Sequence, residues 1–125
     1  MDEEAAAKQV LDSAMKVHTA LGPGLLESAY EVCLDYELSK RGINVSKQVP
    51  IAVRYDGVQL ELGYRLDLLV DGKVVVEVKA VERLLPLHHA QLLSYLKLGG
   101  YKIGLLLNFH TLHLRDGIKR IVNGI

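Results

Sequence analysis

Residues 73–80 read Lys73-Val74-Val75-Val76-Glu77-Val78-Lys79-Ala80, and this stretch decides the fold. Every even position is apolar, while the odd positions include Lys73, Glu77 and Lys79. Side chains alternate across a β-strand, so Glu77 and Lys79 share one face and the valines at even positions line the other. The segment before it alternates in the same phase. Tyr64, Leu66, Leu68 and Val70 are even, and Arg65 and Asp67 are odd. Asp71-Gly72 between the two segments marks a turn. For one hairpin face to be core, the even sets must lie together, and that fixes the parity of pairing. A two-residue loop would pair 70 with 73 and set odd against even. A three-residue loop of Val70, Asp71 and Gly72 pairs 69 with 73 and keeps odd with odd, which predicts a type I turn with Gly72 left-handed as a G1 bulge. That register sets Asp67 opposite Val75 and diagonal to Glu77, roughly 7–8 Å away.

Working outward, Gln59 to Val70 reads as the strand before this one and Val45 to Arg54 as the strand before that, with Tyr55-Asp56-Gly57 turning between them. Pro50 places the earlier strand at an edge or a bulge. Further upstream the apolar period becomes helical. Residues 3–20 carry Val10, Ala14, Val17 and Leu21 at helical spacing, and Gly22-Pro23-Gly24 ends the run. A second helix runs from about Leu25 to Arg41, with Leu26, Ala29, Tyr30, Cys33, Leu34 and Leu38 as its buried stripe and Gly42 as its stop. Downstream, Pro86 fits the first position of a third helix that ends at Gly99-Gly100. Ile103 to Asn108 is a continuous apolar run that suits a strand buried on both faces. Thr111 to Leu114 reads as a last short strand, and 118–122 has no clear assignment. The order is ααβββαβ, an α/β (α+β) chain with one mixed central sheet flanked by helices, and residues 1–125 fit a single domain.

The totals remove several function classes. The chain has 125 residues, with 15 Lys+Arg against 15 Asp+Glu. No polybasic arm announces nucleic acid or an anionic membrane, so a polyanion must be met through a local patch or a bound cation. Cys33 is the only cysteine, which excludes an internal disulfide. The acidic start, Met1-Asp2-Glu3-Glu4, has the wrong charge for a signal peptide, and no apolar stretch is long enough to span a bilayer. A cytoplasmic protein with no membrane partner is expected. With no Trp, one Phe and six Tyr, the composition is poor for a platform that stacks single-stranded nucleic acid.

One face of the predicted hairpin therefore presents Asp67, Glu77 and Lys79. Two carboxylates from different strands suit Mg²⁺, which prefers oxygen ligands, keeps several waters and bridges to phosphate. A lysine two residues on is placed to orient or deprotonate a metal-bound water, the chemistry of metal-assisted phosphodiester hydrolysis. The same pattern also fits a solvated strand face with a cross-strand pair to Asp67, and spacing alone does not separate the two. Gln91 and Tyr95, at i and i+4, project from one face of the third helix and with His88 form a polar stripe. Glu27 falls in the first turn of the second helix, where a carboxylate favours the dipole. Glu31, one turn later on the same side, is placed to assist Glu27, although a surface charge is the preferred reading. His88 and His89 diverge on a helix, and neither they nor His110-x-x-His113 match zinc spacings.

Tyr64-Arg65-Leu66-Asp67, followed by Glu77-Val78-Lys79 across a turn, resembles the signature of the PD-(D/E)XK nuclease superfamily, although Leu66 stands where a proline is usual. Gly24-Leu25-Leu26-Glu27-Ser28-Ala29-Tyr30 is similar to the motif that names the GxxExxY protein family, assigned to that superfamily. The resemblance covers about Val10 to Val122. It implies a nuclease acting on DNA or RNA with Mg²⁺ or Mn²⁺. Asp67 and Glu77 would be metal ligands, with the Val78 carbonyl as a third, and Glu27 would complete the acidic cluster. Lys79 would position the attacking water. The Gln91-x-x-x-Tyr95 helix resembles a motif of RecB-like nucleases, which implies that both residues orient the site. The other reading is a non-catalytic binding or assembly module on this fold, favoured by net neutrality and the lack of a DNA-reading appendage. Action on a small phosphate compound is a third. A symmetric homodimer is one way for so small a domain to extend its contact, with the first helix and last strand as candidate interfaces.

Overall fold

The computed structural model describes residues 1–124. Two helices open the chain, α1 (Glu3–Leu21) and α2 (Glu27–Lys40). Asp2 caps α1 by accepting the Ala5 N–H at 2.8 Å, satisfying a donor that a helix start leaves free. Strands β1 (Val45–Pro50), β2 (Val53–Tyr55), β3 (Val58–Leu60), β4 (Arg65–Val70) and β5 (Val74–Lys79) follow. Helix α3 (Pro86–Gly99) then crosses to β6 (Ile103–Asn108), a 3₁₀ turn covers Leu114–Gly117, and β7 (Ile118–Val122) ends the fold.

The main sheet has the order β1-β4-β5-β6-β7. Only β5 and β6 are parallel, Val74 pairing with Ile103 through Lys79 with Asn108. Parallel neighbours need a crossover, and α3 supplies it. The even valines of β5 face a core built with Val10, Ala14, Tyr30 and Leu34 of α1 and α2. Val75 faces the opposite core, with Leu92, Tyr95 and Leu96 of α3. Helices thus cover both faces, which is why β6 is buried throughout. Gly104 permits the close approach of α3, since a Cβ there would sit 3.0 Å from the Leu92 side chain.

Several expectations change, and the first concerns α2: Leu26, expected in its buried stripe, precedes the helix and is 79% exposed. The parity of the β4–β5 hairpin holds, but its register is two residues away from the expected one, with Val70 opposite Val74 and Leu68 opposite Val76. Asp71 and Gly72 both have positive φ, 55° and 65°, and the Lys73 N–H donates to the Val70 carbonyl. This is a mirror-image turn followed by one extra residue rather than a type I turn with a bulge at Gly72, and either loop preserves odd-with-odd pairing. Asp67 therefore lies across from Glu77 rather than diagonal to it. The strands expected over 45–54 and 59–70 are each divided, because β2 and β3 leave the sheet as a separate two-stranded hairpin. Pro50 ends β1, an edge strand, as a residue without an N–H does. Residues 111–114 form bends and the start of the 3₁₀ turn rather than a strand, and 118–122 form β7 on β6.

Candidate active site

β4 and β5 pair as far as Leu68 and Val76 and then part. At the fork, side chains take over from the ladder. The Glu77 carboxylate accepts the Asp67 N–H at 2.9 Å, and the Asp67 carboxylate accepts the Val78 N–H at 2.8 Å. Each acid thus satisfies the backbone of the opposite strand where the strands have lost their mutual bonds. Lys79 follows at the end of β5, half-buried.

The loop between α1 and α2 brings a third acid. Tyr30 is fully buried, and its ring stacks on Phe109 at 4.4 Å. Its hydroxyl donates to the Gly22 carbonyl at 2.5 Å and accepts the Leu25 N–H at 3.0 Å. These bonds fix the turn into α2, whose first residue is Glu27. The Glu27 carboxylate then accepts the Ala80 N–H at 3.1 Å, one residue beyond Lys79. Spacing in Gly24-x-x-Glu27-x-x-Tyr30 thereby acquires a physical sense: the tyrosine anchors the loop and the glutamate reaches the site strand.

Two further residues, Asn108 and Gln48, hold the cluster, and neither is among the site residues expected from the sequence. Asn108, buried at the end of β6, binds both the N–H and the carbonyl of Val81 at 3.0 and 2.9 Å. Together with the Phe109 N–H on the Lys79 carbonyl, this fixes the chain leaving β5. Gln48, on β1, has a φ of +50°. Its amide donates to Glu31 at 2.7 Å and also bears on Asp67. Glu31 is accordingly half-buried and faces the cluster, not the isolated surface charge its helix position suggested. Tyr30 had a signal in its motif, and Asn108 had one as the polar end of an apolar run. Gln48 had none.

From the other face, Gln91 donates to the Tyr95 hydroxyl at 3.1 Å. Tyr95 is buried, and its ring meets that of Tyr64 at 6.1 Å and 57°. Burial and the neighbouring Glu77 charge both raise its hydroxyl pKa. The structure brings Gln91, Tyr95 and Lys79 to one cleft, which His88 also lines. His88 does not extend the stripe freely, since its Nδ1 accepts the Leu85 N–H at 2.9 Å and caps α3.

The electrostatics are unbalanced. Burial, then the Asp67 charge, pushes the Glu77 carboxyl up to about 8. Burial also raises Asp67, with Glu27 adding repulsion, and raises Glu31, with Asp67 and Glu27 adding theirs. Among the described residues, neither Asp67 nor Glu77 has an ion-pair partner within 4.0 Å. Nor do three His, Cys, Asp or Glu side chains among them converge as a ready-made metal cage. The donor chemistry nevertheless fits a hard divalent cation. Mg²⁺ needs one or two carboxylates and keeps its waters, and each carboxylate here has an oxygen besides the one that accepts a backbone N–H.

A family model described as the PD-(D/E)XK nuclease superfamily matches residues 4–121. The chain belongs to the PD-(D/E)XK nuclease superfamily. No curated protein and no solved structure matches it. In this superfamily member Leu66, where a proline is usual, is 1% exposed and packs with Val75 and Leu92 under α3. No helix among the described residues is long and apolar enough to cross a membrane.

Proposed function

We propose that the domain is a divalent-metal-dependent nuclease that hydrolyses phosphodiester bonds of DNA or RNA, and that it falls in the GxxExxY branch of its superfamily. The observation that carries this reading is the Asp67–Glu77 pair, two part-buried acids from adjacent strands that share no ion pair within 4.0 Å and have Lys79 as their neighbouring cation. Asp67 and Glu77 would hold Mg²⁺ or Mn²⁺, with Glu27 and the Val78 carbonyl available to complete the set. A bound cation would polarise a phosphoryl oxygen and make a bound water more acidic. Lys79 orients the attacking water and offsets charge on the phosphate. Gln91 and Tyr95 orient the acids and the phosphate from α3.

A second reading, a non-catalytic binding module, draws on the charge arrangement. Of six cations in the sequence that suit a phosphate rim, Arg65, Lys97, Lys102, Arg83, Lys47 and Lys73, the last two are paired with Asp35 and Asp71 at 3.3 and 3.2 Å. The test is incubation of the protein with single- and double-stranded DNA and RNA in Mg²⁺ or Mn²⁺. Cleavage is expected, abolished by chelator and slowed at least about a hundredfold by Lys79→Ala. Equal product from wild type and Lys79→Ala would assign the activity to a contaminant and favour the binding module.

A further inference from the structure

Beside the acid cluster lies a cleft of about 630 Å³ that Lys79, Gln91 and Tyr95 share with walls the reaction does not use. Its size falls in the range of sites that hold a small organic group, roughly 300–1,000 Å³. Val53 of the β2–β3 hairpin, Tyr64 just before β4, and Leu87 and Leu98 of α3 make it largely apolar. Gln91, Ser94 and His88 add hydrogen-bonding groups at its edge. Tyr64 is 45% exposed, so much of its ring has no protein partner. The scarcity of aromatics in the sequence argued against a stacking platform, but the fold gathers Tyr64 and Tyr95 at this one place.

We propose that this cleft takes an unpaired nucleobase of the substrate strand, so that the domain binds single-stranded or frayed nucleic acid in preference to intact duplex. The inference rests on reading the acid cluster as a nuclease site, and it adds the substrate form. Lys79 lines the cleft and ends the strand that carries Glu77, so the nucleoside of a phosphate held at Lys79 has the cleft that Tyr64 also lines within its reach. Apolar walls with a few polar groups match a base, which offers π-faces to stack and edges to hydrogen-bond. A duplex keeps those faces stacked and edges paired, and must unstack to fill the cleft. Charge supports the same choice. With equal numbers of acids and bases, and Lys47, Lys73 and Arg120 each paired to a carboxylate, the charge total gives no advantage to the denser charge of a duplex. Contacts to the base then supply the discrimination between strand forms.

The test is fluorescence anisotropy in chelator, with the wild-type chain and three labelled DNA probes: a short oligothymidylate, the same strand made abasic, and a duplex of equal length. The base-bearing strand is expected to bind at least about tenfold tighter than the other two. Tyr64→Ala, an exposed position whose folding is checked by its melting curve, should lose about tenfold for that strand and nothing for the abasic one. Tyr64→Phe should retain the affinity. Equal binding of base-bearing and abasic strands, tighter binding of duplex, an equal loss on both strands in Tyr64→Ala, or no measurable binding of any probe would overturn the proposal. Cleavage is scored separately with metal. If the binding pattern appears without cleavage, the nuclease reading fails and the pocket stands. If both DNA forms are cut equally by wild type and Tyr64→Ala, the pocket fails and the nuclease reading stands.

Discussion

Two glutamates of this protein are withdrawn from water to almost the same degree, Glu37 at 6% exposure and Glu77 at 5%. Their surroundings are opposite. Glu37, near the end of α2, meets Lys16 of α1, Lys40 and Arg41, all within 3.4 Å. The Arg41 hydrogen bond above all, with those of the lysines, holds its carboxyl below the usual range. Glu77 has a backbone N–H and, as its near neighbour, another acid. A fold that closes three ion pairs on one buried acid and none on another has not run short of lysine. The first arrangement ties two helices together. The second is offset only by the longer-range attraction of Lys79, an imbalance of the kind that clusters at functional sites.

The comparison breaks most sharply on substitution by glutamine. In metal-free protein the Glu77 carboxyl is held near 8 against an ordinary 4.5. Between those values the unfolded chain has released a proton that the folded chain keeps, so stability falls as pH rises through the window. The full drop is on the order of 3–5 kcal/mol. Glu77→Gln removes it while keeping an acceptor for the Asp67 N–H. In chelator at pH 8 that variant should melt well above wild type, and the two should converge near pH 4. Glu37→Gln should do the reverse. Its folded carboxyl is lowered, so its stabilisation is present above the ordinary carboxyl pKa and is lost as pH falls through the depressed value. The variant should melt below wild type at pH 8 and approach it in acid. Thermal melts of the three proteins across pH decide this. A Glu77→Gln protein less stable than wild type at pH 8 would make Glu77 a structural acid like Glu37.

A divalent cation sharpens the same contrast with a somewhat smaller effect. Mn²⁺ bound at the proposed site, at a hundredfold excess over its dissociation constant, would stabilise the folded state by about 2.7 kcal/mol, roughly 10 °C for a chain of this size. Wild type and Glu37→Gln should both show the shift in a melting titration, and Glu77→Gln should show little of it. An equal shift in all three proteins would put the cation somewhere other than the Asp67–Glu77 fork.

How far these differences were legible follows from what each depends on. Alternation over 64–80 fixed the parity that places Asp67, Glu77 and Lys79 on one face, because a one-residue slip would expose the valines. It could not choose between two loops of equal parity, and the positive φ at Asp71 selected the register two residues from the expected one. Helix α3 was readable at both ends, from Pro86 at its start and from Gly100 at its cap with φ 74°. The departure of β2–β3 from the sheet was not, since a strand alternates whether it pairs in the main sheet or beside it. Glu37 lies on the same kind of helix surface as Glu31 in the sequence. Only the packing of α1 against α2 delivers Lys16 to it, and only the backbone of β1 delivers Gln48 to Glu31. The ion-paired and the unpaired acid thus look alike until the chain is folded.

Gln48 offers the finest test, because it puts backbone strain beside the unpaired acids. A non-glycine residue in the left-handed region costs on the order of 1 kcal/mol, and here it falls inside an edge strand where no turn requires it. The conformation turns the amide onto Glu31 and Asp67, whose pKa values it pulls back down against burial. If strain is tolerated for that placement, two substitutions should separate cost from use. Gln48→Ala loses the amide and keeps the strain. Gln48→Gly loses the amide and relieves it. By urea unfolding, Gly should exceed Ala in stability by about 1 kcal/mol. Both should slow cleavage alike, by several-fold, because both lack the same amide. An Ala variant as stable as Gly would mean the strand relaxes without cost, and cleavage that tracked stability rather than the amide would remove Gln48 from the site.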